Sequence, residues 1–346
     1  MDDDSNPPLM ATYKHLFVVD GHPHCLDAAG DRDDNHECAL PVIDLALLDK
    51  VQSVDIVRAA SEWGFFQVTN HGVPQALLRQ LHDAQVAVFR RSFQHKVSER
   101  LLDFSPESYR WGTPTATCLE QLSWSEAYHI PMAPATGDKQ RRTSSFSAVI
   151  EDVSTAMSEL AQKLAAILTG GLGGDAKADE TMHRCTRDTC FLRLNRYPPC
   201  AMGSGAAFGL CPHTDSDFLT ILHQHDDHVG GLQLLKGGRW VAVKPDPSAL
   251  IVNVGDLLQA WSNNVYRSVE HRVMANATVE RFSVAFFLCP SYDTVIRPRS
   301  SSSRHGLYRS FTFGEYRKQI REDVRLTGRK LGLHRFRRLP PSSISS

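Results

Sequence analysis

The stretch Cys211-Pro212-His213-Thr214-Asp215-Ser216-Asp217-Phe218-Leu219-Thr220-Ile221-Leu222-His223 opens with side chains able to bind a metal and closes as a β-rich run. In extended backbone, residues i and i+2 share a face, so His213 and Asp215 can offer an imidazole and a carboxylate to one point. Working outward, short β-rich segments recur at 189–197, 219–223, 231–235, 239–244, 250–254, 266–273 and 282–288, with turn signals between them. This spacing predicts a small antiparallel barrel or a double-sheet jelly roll.

His271 lies inside another of these segments, with 55 residues between it and Asp215. Strand pairing could bring it beside the first two. Two imidazoles and one carboxylate on one side of an ion leave positions open, which is the facial arrangement of non-haem Fe(II) oxygenases; a structural zinc site would be closed. His-x-Asp alone is a weak signal in a chain with 16 histidines. The flanking chemistry raises it. Arg281 and Ser283 again share a face, where a guanidinium can clamp a carboxylate through two parallel hydrogen bonds and a hydroxyl can add a third. Phe282 and the apolar run 284–288 surround that charge, and a cation in such a strand is costly unless paired.

The rest of the chain frames this region. Residues 1–38, rich in Asp, His, Gly and Pro, read as a disordered or loosely ordered arm. A single domain is expected over 39–335. Its mostly helical part is 39–187, its jelly-roll core 188–295, and its last helical segment 296–335; residues 336–346 read as a disordered tail. Within the first part, short strands are expected at 40–45, 64–70, 109–112 and 123–129. Helices are expected at 54–63, 74–93 and 148–169, the last carrying Val149, Val153, Met157, Leu160, Leu164, Ile167 and Leu168 at helical spacing. The fold class is therefore α+β, mainly β, with flanking helices. The loop His223-Gln224-His225-Asp226-Asp227-His228 reads as a solvated hairpin turn.

Composition excludes several classes. Hydrophobic residues make up 42% and charged residues 22%, and the net charge is -1. No basic field exists to attract nucleic acid or an anionic membrane. No apolar run approaches the roughly 20 residues needed to span a bilayer. The start, with three Asp and no apolar segment, is unlike a secretory signal. The eight cysteines form no Cys-x-x-Cys pair and read as reduced thiols. Cytoplasm, or cytoplasm and nucleus, is the expected location. Oligomeric state is left open.

Several motifs then resemble one family. They are Gly64-Phe65-Phe66-Gln67-Val68-Thr69-Asn70-His71-Gly72, Asn195-Arg196-Tyr197-Pro198-Pro199-Cys200, Pro212-His213-Thr214-Asp215, Asn253-Val254-Gly255-Asp256, Ser268-Val269-Glu270-His271-Arg272-Val273 and Arg281-Phe282-Ser283. In order and spacing they resemble the plant 2-oxoglutarate/Fe(II)-dependent dioxygenases over about residues 40–330. Residues 107–112, 121–131, 287–291 and 311–317 are further similar to gibberellin 2-oxidases (gibberellin 2-beta-dioxygenases), of the class acting on twenty-carbon gibberellins.

The resemblance implies a double-stranded β-helix (jelly-roll) core. It implies Fe(II) on His213, Asp215 and His271. It implies 2-oxoglutarate held by Arg281, Ser283 and Tyr197, with O2 as second cosubstrate and ascorbate as a stimulant. The implied reaction is 2-beta-hydroxylation of a gibberellin, which inactivates the hormone, with release of succinate and CO2. The substrate, an apolar carboxylate, needs an apolar pocket with a basic anchor. Tyr109, Trp111 and Phe287 are candidate walls; Arg110 and Arg196 are candidate anchors or else exposed charges. The alternatives are a sister plant dioxygenase acting on another gibberellin step or a flavonoid-like metabolite, and a non-catalytic cupin-like binding protein, which would lack the Arg281/Ser283 clamp.

Overall fold

The computed structural model describes residues 4–19, 22–23, 26, 37–47, 50–98, 108–132, 145–173, 185–186, 189–203, 205–225, 228–299 and 306–338. In chain order, α1 (Leu9–Tyr13) precedes β1 (Val42–Asp44), α2 (Lys50–Glu62), β2 (Phe65–Thr69), α3 (Gln75–Phe89) and α4 (Phe93–Ser98). Next come β3 (Tyr109–Trp111), β4 (Glu126–Pro131), α5 (Ser145–Gly170), β5 (Phe191–Tyr197) and β6 (Phe208–His213). Then follow β7 (Leu219–Gln224), β8 (Leu232–Lys236), β9 (Arg239–Val243), β10 (Leu250–Val254), α6 (Asp256–Trp261), β11 (His271–Met274), β12 (Arg281–Leu288) and α7 (Phe313–Thr327).

Among the described residues these strands build an eight-stranded sheet, ordered β1-β2-β10-β7-β12-β5-β4-β3, and a five-stranded sheet in which Glu37–Cys38, β9, β8, β11 and β6 follow one another. The pairs inside the expected jelly-roll region are antiparallel. Alternation gives the large sheet two different faces. On one, Leu192, Leu194, Ile221, Val252, Val284 and Phe286 are buried in a core shared with Val153, Met157, Leu160, Leu164 and Leu168 of α5. The apolar stripe of α5 thus meets the sheet it was spaced to cover. That core draws on residues from Ile43 to Phe336, so the helical first part and the β-rich second part share one interior. The other face of the sheet looks into a cavity. No helix among the described residues is long and apolar enough to cross a membrane.

Some elements differ from their sequence reading. β6 was not among the expected strands, although extended backbone was expected at His213 and Asp215; it carries Pro212 at the edge of its sheet, where proline costs no ladder bond. The segment read as a strand from 266 becomes one only at His271. Before that, Asn263 and Asn264 take positive φ (54° and 67°) and Tyr266 is buried, its hydroxyl donating to Leu168 O at 2.6 Å. His223 is not solvated: it is 3% exposed, and its ring and that of His82 each lie 4.5 Å from that of His225.

The expected loose arm is ordered over residues 4–17. Leu9, Tyr13, Leu16 and Phe17 are spaced to put apolar groups on one side of a short helix and its continuation, and they are buried with Leu119, Leu122 and Trp124. Phe17 meets Trp124 edge to face at 5.8 Å. Polar composition hid this small apolar set. Phe336, placed by sequence in a disordered tail, is also buried, against Phe311 at 4.5 Å; residues 20–21, 24–25, 27–36 and 339–346 lie outside the described ones.

A buried ion network fastens the arm. Glu126 on β4 takes Lys96 Nζ of α4 at 2.5 Å and Arg196 Nη1 of β5 at 2.6 Å, with side chains 0%, 0% and 2% exposed for Glu126, Lys96 and Arg196. Lys96 Nζ also donates to Ser5 O, and Arg196 Nη2 to Asn6 Oδ1. Arg196 is thus neither an exposed charge nor a substrate anchor, because it sits on the sheet face opposite the cavity. Glu126→Ala would leave two buried cations without their shared anion. We expect it to cost about 3–5 kcal/mol of unfolding free energy, measured by urea denaturation. A loss below about 1 kcal/mol would show that the network does not hold the fold.

Candidate active site

Pairing of β6 with β11 sets His213 directly opposite His271, and Asp215 follows just past the end of β6. Their candidate ligand atoms all lie within 4.8 Å of one another. Asp215 Oδ1 is 3.7 Å from His213 Nε2 and 3.9 Å from His271 Nε2. Each imidazole is oriented from behind: Nδ1 of His213 donates to Cys211 O at 2.7 Å, and Nδ1 of His271 to Val269 O at 3.1 Å. Both tautomers therefore turn an Nε2 lone pair toward the common point, the usual support of a metal-binding histidine. Burial, then the neighbouring His271, pushes His213 down to about 3, so it is uncharged at neutral pH.

Asp215 is aimed in the same way. Its Oδ2 accepts from Thr220 Oγ1 at 2.6 Å and from Asn253 Nδ2, which leaves Oδ1 for the shared point. Gly255 makes room for this packing: a Cβ there would lie 2.1 Å from Asp217 O. Asp256 N then donates to Asp215 O at 2.9 Å. Burial and the Asp215 charge push the Asp217 carboxyl well above the usual carboxylate range, and its Oδ2 lies 3.0 Å from Thr220 Oγ1.

Tyr197, Arg281, Ser283 and Phe287 converge on one cavity of about 340 Å³ that also holds the triad. Strand register lines them up. Across β12 and β5, Arg281 faces Tyr197, Ser283 faces Asn195, Ala285 faces Arg193 and Phe287 faces Phe191, and all eight line the cavity. Arg281 is 4% exposed. Its Nη2 donates to Gln224 Oε1 at 2.6 Å and its carbon lies 5.0 Å from the Tyr197 ring centre, but Nε and Nη1 are buried with no partner among the described residues. A buried guanidinium with two idle donors is built to meet a carboxylate. Gln85, which sequence did not single out, reaches over from α3 and donates to the backbone oxygens of both Asn195 and Ser283.

Two of the three expected walls are elsewhere. Phe287 lines the cavity and stacks on Phe191 with ring centres 4.3 Å apart. Tyr109 and Trp111 do not line it. Tyr109 donates its hydroxyl to Glu126 within the ion network, and Trp111 is wedged between Tyr13 and Phe93. Between them on β3, Arg110 takes the cavity face, and a one-residue change of parity exchanges the two sides of a strand. Arg193 was missed. Its signal was present in sequence: Arg193, Asn195 and Tyr197 follow one another at i, i+2 and i+4 and so share a face.

Residues 188–290 match the family model described as the 2OG-Fe(II) oxygenase superfamily, and residues 40–149 match that of the non-haem dioxygenase in morphine synthesis N-terminal region. Gibberellin 2-beta-dioxygenase 5 of Oryza sativa subsp. japonica is 72% identical over 344 residues, covering 97% of this chain and 98% of that protein. The chain belongs to the 2-oxoglutarate–Fe(II) oxygenase superfamily. Gibberellin 2-beta-dioxygenase 8 of Arabidopsis thaliana is 50% identical to this oxygenase, over 87% of each chain. Among solved structures, JOX2 in complex with 2OG, Fe and JA superposes with a TM-score of 0.73 at 32% identity, covering 92% of this oxygenase and 94% of that chain. The fold is the jelly roll of this superfamily, and the oxygenase works with Fe(II) and 2-oxoglutarate as a dioxygenase. The cavity fits both: two imidazoles, each held through Nδ1 by a backbone oxygen, and one carboxylate oxygen converge for a metal, and two idle guanidinium donors wait for a carboxylate.

Two substitutions probe this geometry. Loss of a group that merely orients a ligand weakens metal binding about 10–100-fold, so His271→Ala should weaken Fe(II) binding by roughly 100-fold or more in anaerobic titration. Undiminished binding would remove His271 from the metal site. Arg281→Ala should weaken 2-oxoglutarate by about 30-fold or more, since it deletes one member of a buried charge pair. The readout is the visible charge-transfer band of the anaerobic Fe(II) complex; an unchanged band and affinity would take Arg281 out of cosubstrate binding.

Proposed function

We propose that this oxygenase hydroxylates gibberellins at C2 on the β face, with Fe(II) on His213, Asp215 and His271. The observation that carries the reading is the 72% identity, over 97% of the chain, to a rice gibberellin 2-beta-dioxygenase. It is supported by a cavity that joins the triad, an aromatic wall and several guanidinium groups. Hydroxylation at C2 inactivates the hormone or its precursors. Segments 107–112, 121–131, 287–291 and 311–317 favour twenty-carbon gibberellins as the substrates.

Each protein group then has a task. Arg281 and Ser283 hold the far carboxylate of 2-oxoglutarate, and Tyr197, opposite Arg281 in register, donates its hydroxyl to the same cosubstrate. Gln224 keeps the Arg281 fork in place. Thr220 and Asn253 hold Asp215 so that one oxygen remains for the metal. Phe287 and Phe191, stacked face to face, give the cavity an apolar side that excludes water from a rigid ring system. Bound iron together with 2-oxoglutarate supplies the oxygen activation, with succinate and CO2 released. Orientation of one C–H bond toward the metal is left to the wall and the cationic groups. The oxygenase acts on a free small molecule without nucleic acid, in the cytoplasm, or in cytoplasm and nucleus; among the described residues no disulfide joins Cys118, Cys185, Cys190, Cys200, Cys211 and Cys289, in keeping with a reducing compartment.

The test is aerobic incubation of the purified protein with Fe(II), ascorbate and 2-oxoglutarate and a panel of nineteen- and twenty-carbon gibberellins plus a flavanone. Products and succinate are read by mass spectrometry. We expect a 2β-hydroxylated product with matching succinate, favoured by the twenty-carbon members. Preference for nineteen-carbon members would overturn the subclass, and flavanone turnover with inert gibberellins would discard the hormone substrate.

A further inference from the structure

Among the described residues, five cationic side chains line the cavity: Arg110, Arg193, Arg281, Arg317 and Lys330. Two are already committed. Arg281 is the cosubstrate clamp, and Lys330 is paired with Asp256 at 2.6 Å while also donating to Thr214 O and Ser216 Oγ. The carboxylates in the wall are not ion-paired with Arg193 or Arg317: Asp215 faces the two histidines, and Asp217 Oδ2 lies 3.0 Å from Thr220 Oγ1.

Arg193 is the notable one. It lies on the inward face of β5, between Ala285 of β12 and His129 of β4 in register. Its Nε donates to Asn195 Oδ1 at 2.8 Å, which fixes the plane of the guanidinium. Among the described residues this is its one hydrogen bond, and no carboxylate is paired with it or with Arg317. Burial makes the charge costly, enough to lower the arginine's hold on its proton. A half-buried, oriented cation with no anion of its own is an unfinished pair.

Beside it runs a shelf of stacked rings. His129 lies 4.3 Å from Phe191 centre to centre, and Phe191 lies 4.3 Å from Phe287 with 12° between the planes. Burial, then Arg193, Arg110 and Arg317, bring His129 down to about 4, so at neutral pH the shelf carries no charge of its own while three guanidinium groups surround it. The arrangement matches a rigid apolar body bearing more than one carboxylate on its rim.

We propose that Arg193 is the anchor for one substrate carboxylate, and that Arg110 and Arg317 at the cavity rim receive a second, so that the site selects dicarboxylic substrates. This deepens the gibberellin reading and rests on it. A twenty-carbon gibberellin with an open C19 carboxyl carries two carboxylates, whereas closure of that carboxyl into a lactone leaves one.

The test is anaerobic titration of the Fe(II)·2-oxoglutarate enzyme with a twenty-carbon gibberellin bearing two free carboxyls, and with each of its monomethyl esters. Arg193→Met should weaken binding of the diacid by about 30-fold or more, as expected on truncating one side of a buried charge pair. Its affinity for 2-oxoglutarate should stay within about threefold, and Arg193→Lys should restore part of the loss, since a lysine keeps the charge without the fork. One ester should lose affinity in the native enzyme and nothing further in Arg193→Met, the non-additivity that marks direct partners. The other ester should show the same coupling with Arg317→Met. Independent, additive losses would overturn the proposal. So would parallel loss of 2-oxoglutarate affinity, which would place Arg193 in the cosubstrate clamp. Tight, Arg193-dependent binding without turnover in air would sink the 2-hydroxylation reading and leave the anchor standing. No binding of the diacid by the native enzyme would sink both.

Discussion

Side-chain alternation along the paired strands β5 and β12 is the constraint on which this protein depends. Because the pairing register sets Arg281 against Tyr197 and Phe287 against Phe191, every second residue of both strands enters the same cavity. The intervening residues, Leu192, Leu194, Val284 and Phe286 among them, must then fill the core under α5. A slip of one residue would exchange the two sets, exposing the apolar ones to the cavity and forcing Arg193 and Arg281 into hydrocarbon. The cost of burying unpaired guanidinium groups in that core opposes the slip, and so does the loss of apolar burial. Site and fold are thus specified by one pattern.

The same strand shows how one residue type does two jobs. Arg193 and Arg196 are three positions apart and so lie on opposite faces of β5. Arg196 has its anions on hand, Glu126 and Glu280, and with Lys96 it ties the N-terminal segment to the sheet. Arg193 has none within the described residues and faces the cavity. A charge completed inside the protein serves the fold, and a charge left incomplete serves a ligand. Arg281, whose Nε and Nη1 are likewise idle, follows the second rule.

The metal site is rigid from behind for a related reason. Backbone oxygens fix both imidazoles, and Thr220 and Asn253 fix the carboxylate. Asn253 belongs to β10, which pairs with β7, which carries Thr220; the two supports arrive from adjacent strands. Gly255 brings the following turn against Asp217 at a distance that no side chain would permit.

Sequence alone carried the strand pattern, the amphipathic stripe of α5, and the shared faces of His213 with Asp215 and of Arg281 with Ser283, because these depend on spacing of two or of three to four residues and on side-chain chemistry. Motif order added the family. What sequence could not decide was parity and partnership. Whether Tyr109 and Trp111 or Arg110 faces the cavity depends on how β3 lies on β4, a relation between strands whose sequences carry no mark of their mutual register. Arg196 reads as an exposed charge until Glu126, 70 positions away, is placed beside it. β6 carries a proline that only an edge position tolerates. Short-range periodicity is a local property and can be read from the chain. The identity of a buried charge's partner is a property of contacts between distant segments, and tertiary packing decided it.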